Sequence, residues 1–145
     1  MRNYFFTDIF LALETVVFRN TLPLIPVYSF SDVKFPKGYD ASLAAGAYTT
    51  IETDPVLLIN VEYLCRKPLE YTINIVYHEM IHYFCDLNGI HDTDNRNGYT
   101  YHRKEFKDAV KENGGTCHYI DDVIGFADSE LKPHIMKKAL RYRWI

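Results

Sequence analysis

The sequence predicts an α+β domain, and three observations carry that reading. A first segment repeats apolar residues at helical spacing. Short β-prone runs broken by proline follow it, and two further helical segments come after those. The length of 145 residues favours a single domain over residues 1–145. With 48% hydrophobic and 24% charged residues there is enough apolar surface to offset the entropy of ordering one core.

In the opening "MRNYFFTDIFLALETVVFRN", Phe5, Phe6, Ile9, Phe10, Leu13, Val16 and Val17 recur at offsets of three and four, with Thr7, Asp8, Glu14 and Thr15 opposite. This predicts an amphipathic helix on the core. From Leu22 onward Pro23, Pro26 and Pro36 punctuate β-prone runs such as "VYSF", and "FPKGYD" reads as a turn. "AGAYTTIE" and "PVLLIN", separated by "TDP", predict a hairpin or meander in a small, mainly antiparallel sheet. From Leu69 to Asn88 the positions Ile73, Val76, Tyr77, Met80, Phe84 and Leu87 predict a long helix that Gly89 closes. "IHDTDNRNGYTY" has no periodicity and reads as a loop, and a second helix is expected from about His102 to Asn113, stopped by Gly114 and Gly115. The remainder predicts a short strand and a final helix.

Charge and cysteine content exclude several classes. A formal net charge of -3 argues against a chain whose main task is holding nucleic acid by counterion release. Cys65, Cys85 and Cys117 form no C-x-x-C pair and are odd in number, which excludes a disulfide framework or a cysteine-rich zinc ribbon and fits a reducing cytoplasm. Asp8 and Glu14 interrupt the apolar N-terminus, so neither a signal peptide nor a membrane span is expected.

The chemistry concentrates in "VYHEMIHYFCDLNG", where His78, Glu79 and His82 form H-E-x-x-H. On a helix the two histidines lie one turn apart on the same face with the glutamate beside them. Neutral imidazoles suit Zn²⁺, and a catalytic zinc takes three protein ligands and leaves a position open. Such an ion lowers the pKa of water from about 15.7 to roughly 7, and an adjacent carboxylate such as Glu79 can carry the proton. Polar residues at the middle of an otherwise apolar helix pattern favour a site over simple packing.

A third ligand must come from elsewhere. His91, His118 and His134 are candidates, and Glu105 is the carboxylate alternative on the following helix. His102 is favoured, because a packed helical hairpin would bring the start of the second helix back over the first pair. His91 follows Gly89 too closely, and the metzincin spacing would require a ligand at Asn88.

"IVYHEMIHYF", a polar loop and then "YHRKEFKDAVKENGG" resemble the SprT-like metallopeptidase domain of bacterial SprT and eukaryotic Spartan proteins. That family shows H-E-M-x-H followed by H-G-x-x-F on a second helix. His102 and Phe106 match, and Arg103 stands where the glycine is usual. "AGAYTT" and "PVLLIN" are similar to the strand pair before the metal helix, so the likeness spans about residues 5–115 and leaves 116–145 as an extension. The resemblance implies a zincin-like fold with a second helix presenting the third ligand. It implies His78, His82 and His102 as zinc ligands and Glu79 as general base in peptide-bond hydrolysis. Protein or peptide substrates follow, DNA-associated proteins among them. The cysteine-rich ribbon that family members often carry is not in this sequence. The alternative is a non-catalytic, zinc-stabilised binding or adaptor module.

Weaker signals complete the reading. "DTDNRNG" fails the EF-hand register, since Arg96 and Asn97 fall where a ligand and a glycine are required. After Glu130, Lys132, Lys137, Lys138, Arg141 and Arg143 are interleaved with Tyr142 and Trp144. This basic tail predicts either a weak nucleic-acid contact or, more simply, a helix end whose cations suit the dipole. Tyr99 and Tyr101 are candidates for oxyanion contact, with packing the ordinary alternative.

Overall fold

The computed structural model describes residues 4–33 and 44–142. The "FPKGYD" turn, and Arg143 and Trp144 of the basic tail, lie outside the described residues. Within them the chain is α+β, with helices α1 (Tyr4–Val16), α2 (Val61–Leu64), α3 (Leu69–Leu87), α4 (Lys104–Glu112) and α5 (Pro133–Arg141). Its strands are β1 (Val27–Ser29), β2 (Gly46–Ile51), β3 (Asp54–Ile59), β4 (Thr93–Arg96), β5 (Tyr99–His102), β6 (Gly115–His118) and β7 (Asp128–Leu131).

Helix α1 forms on the predicted stripe. Phe6, Ile9, Phe10 and Leu13 are buried against α3, each removal from water stabilising the fold by about 1.5–3 kcal/mol. Two residues depart from the expected faces. Phe5 is exposed, and Glu14 is buried because its carboxylate accepts the Leu22 N–H at 2.9 Å and so closes the turn after the helix. Burial, opposed by that hydrogen bond, raises the Glu14 pKa.

β3 is the centre of the first sheet, in the order β1-β3-β2. Both its faces are covered: Leu57 and Ile59 join the main core, and Val56 and Leu58 pack with Phe30. A continuous apolar run is what a strand buried on both sides requires. β2 and β3 pair antiparallel across a two-residue turn at Glu52 and Thr53, both at positive φ (53° and 84°). β1, expected to be antiparallel, is parallel to β3. The chain passes from β1 to the far edge of the sheet, lays down β2, and returns through β3 in the direction of β1.

α3 runs over the expected span, but Leu87, expected on its apolar stripe, is exposed. Its end is closed by Gly89 at φ 65°, with the Ile90 N–H reaching back to the Cys85 carbonyl at 2.8 Å. It lies against β2, α1, α4 and β7 and is the structural axis of the molecule. The short α2, capped by the Asn60 side chain, was not expected from the sequence.

The stretch read as a loop is a β-hairpin, β4–β5. Asn97 and Gly98 occupy its turn at φ 52° and 83°, the pair of left-handed residues that a tight hairpin with right-twisted strands demands. The N-G dipeptide was the available signal. As a result His102 ends strand β5 and does not open the second helix, which starts at Lys104. β6 and β7 form a second two-stranded antiparallel sheet where one strand was expected, followed by α5 with proline at its first turn. No helix among the described residues is long and apolar enough to cross a membrane.

Candidate metal centre

Helix α3 buries Ile73, Val76, Tyr77 and Met80, which leaves His78 and His82 at the border of that face, one turn apart. Strand β5 delivers His102 from the opposite side. The Nε2 atom of His78 lies 3.2 Å from Nε2 of His82 and 3.2 Å from Nε2 of His102. All their ligand atoms fall within 4.8 Å of one another, and among the described residues no other His, Cys, Asp or Glu joins them. A tetrahedral zinc with bonds of about 2.0–2.1 Å holds its nitrogens about 3.3–3.4 Å apart, so the two 3.2 Å spacings about His78 suit such an ion, with the third pair within 4.8 Å.

The outward nitrogens explain why the inward ones are free to bind a cation. Nδ1 of His102 donates to the Ile124 carbonyl at 3.0 Å, and Nδ1 of His82 donates to the Asp92 carboxylate at 2.7 Å. Each bond places the ring proton on Nδ1 and leaves a lone pair on Nε2. Nδ1 of His78 lies 2.7 Å from the Ser129 hydroxyl, and with that hydroxyl accepting it adopts the same tautomer. Lone pairs facing each other at 3.2 Å repel, and a cation between them removes the repulsion. Burial, then the neighbouring His82, lowers His102 to about 4, and burial with the other two imidazoles holds His78 well below its ordinary value. Both are therefore neutral near pH 7, as metal ligands must be.

Two of the outer partners are themselves held. Ser129 sits on β7, and Asn74 of α3 accepts the Leu131 N–H at 2.9 Å, fastening that strand to the helix. The Asp121 side chain accepts from Val123 and Ile124 at 2.9 and 3.0 Å, shaping the turn that presents the Ile124 carbonyl. Below the imidazoles lies Phe106 of α4, fully buried, its ring centroid 4.9, 4.7 and 4.8 Å from those of His78, His82 and His102. One aromatic floor thus supports all the rings.

Glu79 is 7% exposed, between α3 and the edge strand β2. Its carboxylate accepts the Tyr48 backbone N–H; burial raises its pKa, while His82 and that hydrogen bond pull it down. Gly46 permits the close approach, since a Cβ there would come within 3.3 Å of the Glu79 side chain and 3.2 Å of Ile75. Leu57 gives its N–H to the carbonyl of Pro26, just before β1, so by antiparallel alternation its partner Tyr48 turns its backbone groups to the free side of β2.

The centre opens into a cleft of about 550 Å³ lined by Tyr48, Asp86, Asp92, Thr100 and the site residues. Thr100 and His102 share one face of β5, so Tyr99 and Tyr101 turn away. Tyr99 is exposed and Tyr101 lies under Arg96, which removes both as oxyanion donors. The other ligand candidates are also elsewhere: His91 pairs with Asp94, His118 lies beside Asp128, and Glu105 is bound by Arg103 at 2.7 Å. His134 lines a separate cavity. Cys85 is buried, as a small core residue would be.

Asp92, Ser129 and the Ile124 carbonyl were missed in the sequence. Asp92 had only the weak signal of an acid soon after the Gly89 closure, and a serine and a backbone carbonyl carried none. The chain matches no family model, and no curated protein or solved structure matches it.

Proposed function

We propose that the chain is a zinc-dependent metallopeptidase of the SprT-like, zincin-like kind, hydrolysing peptide bonds with Glu79 as general base. The observation that carries this reading is a ligand set of His78, His82 and His102 with no fourth protein ligand among the described residues, facing an open cleft. A structural zinc is closed by four protein ligands, whereas a catalytic one keeps a position free.

When bound, zinc supplies Lewis acidity that acidifies a water and polarises a carbonyl. The chain's own groups do the rest. Glu79, its pKa raised by burial, takes the proton of the attacking water and passes it to the amide nitrogen that leaves. The free edge of β2 aligns an extended peptide by backbone pairing, which gives modest sequence preference. His82 and His102 keep their orientation through Asp92 and Ile124. Among the described residues no Lys or Arg lines the cleft, and a nucleic-acid contact through the basic tail would use the exposed Lys137, Lys138 and Arg141 of α5.

The test is a quenched-fluorescence peptide pool incubated with zinc-loaded protein and with Glu79→Gln. Hydrolysis should disappear in the variant while zinc by elemental analysis stays near one per chain. Undiminished turnover in Glu79→Gln would remove the assigned base. Wild-type protein that is inert at full occupancy would leave the adaptor module as the function.

A further inference from the structure

A second hollow, of about 490 Å³, adjoins the metal cleft and shares Ala44, Gly46, His78 and Glu79 with it. The two form one groove along β2, with the histidines at its middle. The halves differ in chemistry. Toward the β4–β5 hairpin the lining is polar, with Tyr48, Asp86, Asp92, Thr93 and Thr100. Toward β7 it is formed by Tyr71 and Ile75 of α3 and by Ile120, Ile124 and Ala127 of the β6–β7 loop. Ile120 is 48% exposed and so contributes little to the folded core, although its backbone is fastened by the Ile120 N–H to the Gly125 carbonyl at 2.9 Å. Among the described residues the charged lining of this half is carboxylate, from Glu79, Asp128 and Glu130.

We infer that this half of the groove is a side-chain subsite that selects a bulky apolar residue next to the scissile bond, in a peptide whose neighbouring residues are neutral or cationic. The inference rests on the peptidase reading, since the occupant is the substrate of that same centre. Continuity with the site identifies the occupant: a chain paired along β2 past Glu79 must drop alternate side chains toward Ile75 and Ile120. Apolar walls reward a leucine or phenylalanine there, and carboxylates at the rim repel an acidic neighbour. Ile120 and Ile75 are the specificity-determining residues. They touch the substrate side chain and not the reacting atoms.

Equilibrium binding to zinc-loaded Glu79→Gln tests this independently of turnover. The probes are fluorescein-labelled octapeptides with a central Leu, Ala or Asp flanked by Gly and Lys, and one Leu peptide flanked by Glu. The Leu peptide flanked by Lys should bind at least about tenfold tighter than its Ala counterpart. The Asp and Glu-flanked peptides should be weaker still. Ile120→Glu should erase the preference and Ile120→Met should restore it, with zinc content and melting temperature unchanged in both. Equal binding of Leu and Ala peptides, an unaltered preference in Ile120→Glu, or no binding of any peptide would overturn the subsite. Selective binding by a protein that cleaves none of these peptides would leave the subsite standing and remove the peptidase. Cleavage without preference would do the reverse.

Discussion

The Ile124 carbonyl accepts two hydrogen bonds from His102, one from its backbone N–H at 2.9 Å and one from its imidazole Nδ1 at 3.0 Å. A single oxygen of the β6–β7 loop thereby sets both the backbone position and the ring orientation of the third histidine of the cluster. The next residue, Gly125, sits at φ 64°, and a Cβ there would collide with the His102 carbonyl. Gly125→Ala should therefore push strand β5 away from α3. We expect metal affinity to fall about 10–100-fold, the loss associated with outer-partner damage, with α3 itself intact. Competition with a chromophoric chelator measures the affinity, and unchanged binding would show that the loop is not the clamp.

Asp92 acts on His82 as Ile124 acts on His102, through a 2.7 Å bond to Nδ1. Asp92→Ala removes the acceptor that fixes the tautomer, so the ring can carry its proton on Nε2 and rotate. Affinity for zinc should fall by about 10–100-fold. The same chelator titration reads it, and Asp94→Ala is the control. Asp94 pairs with His91 and Arg103 at the surface and should leave affinity unchanged.

Phe106 separates packing from ligation. Its ring is fully buried and lies within 4.9 Å, centroid to centroid, of each imidazole. Phe106→Ala should destabilise the metal-free protein by about 3–5 kcal/mol, the usual loss for a buried aromatic, as measured by urea denaturation. Phe106→Leu keeps most of the apolar contact but not the flat floor. It should lose more in zinc affinity than in stability, relative to Phe106→Ala.

The parts of this site that were legible are those whose signal is local. His78, Glu79 and His82 follow from the 3.6-residue period because all stand on one helix, and Gly89 marks its end. His102 was expected beside His78 and His82, where the fold brings it, but was assigned to the wrong element, because the hairpin turn at Asn97 and Gly98 was read as irregular chain. The parallel pairing of β1 depends on a route around the sheet that no local pattern records. Ser129 and Ile124 reach the histidines from 51 and 22 residues away in sequence, and no spacing rule connects them. Glu14 looked like a solvent-facing residue of an amphipathic helix, and only the fold shows the Leu22 N–H that holds it inside.

Acid sensitivity follows from the depressed imidazoles, and its sign can be worked out. His102 is lowered by burial, then by His82, from 6.5 to about 4. An unfolded chain therefore takes up that proton near pH 6.5 while the native chain does not, so the unfolded state binds more protons between pH 6.5 and about 4. The stabilisation is present above that window and is lost as pH falls through it. His78, held well below 6.5, adds in the same direction. Glu79 opposes it, since its raised pKa lets the native state protonate first as pH falls. In a metal-free Glu79→Gln background the opposing contribution is gone, and the urea midpoint should drop steadily from pH 7 to pH 5. Adding His102→Gln should flatten that slope. An equal slope with and without His102 would place the lost stability in other groups and remove His102 as a buried neutral ligand.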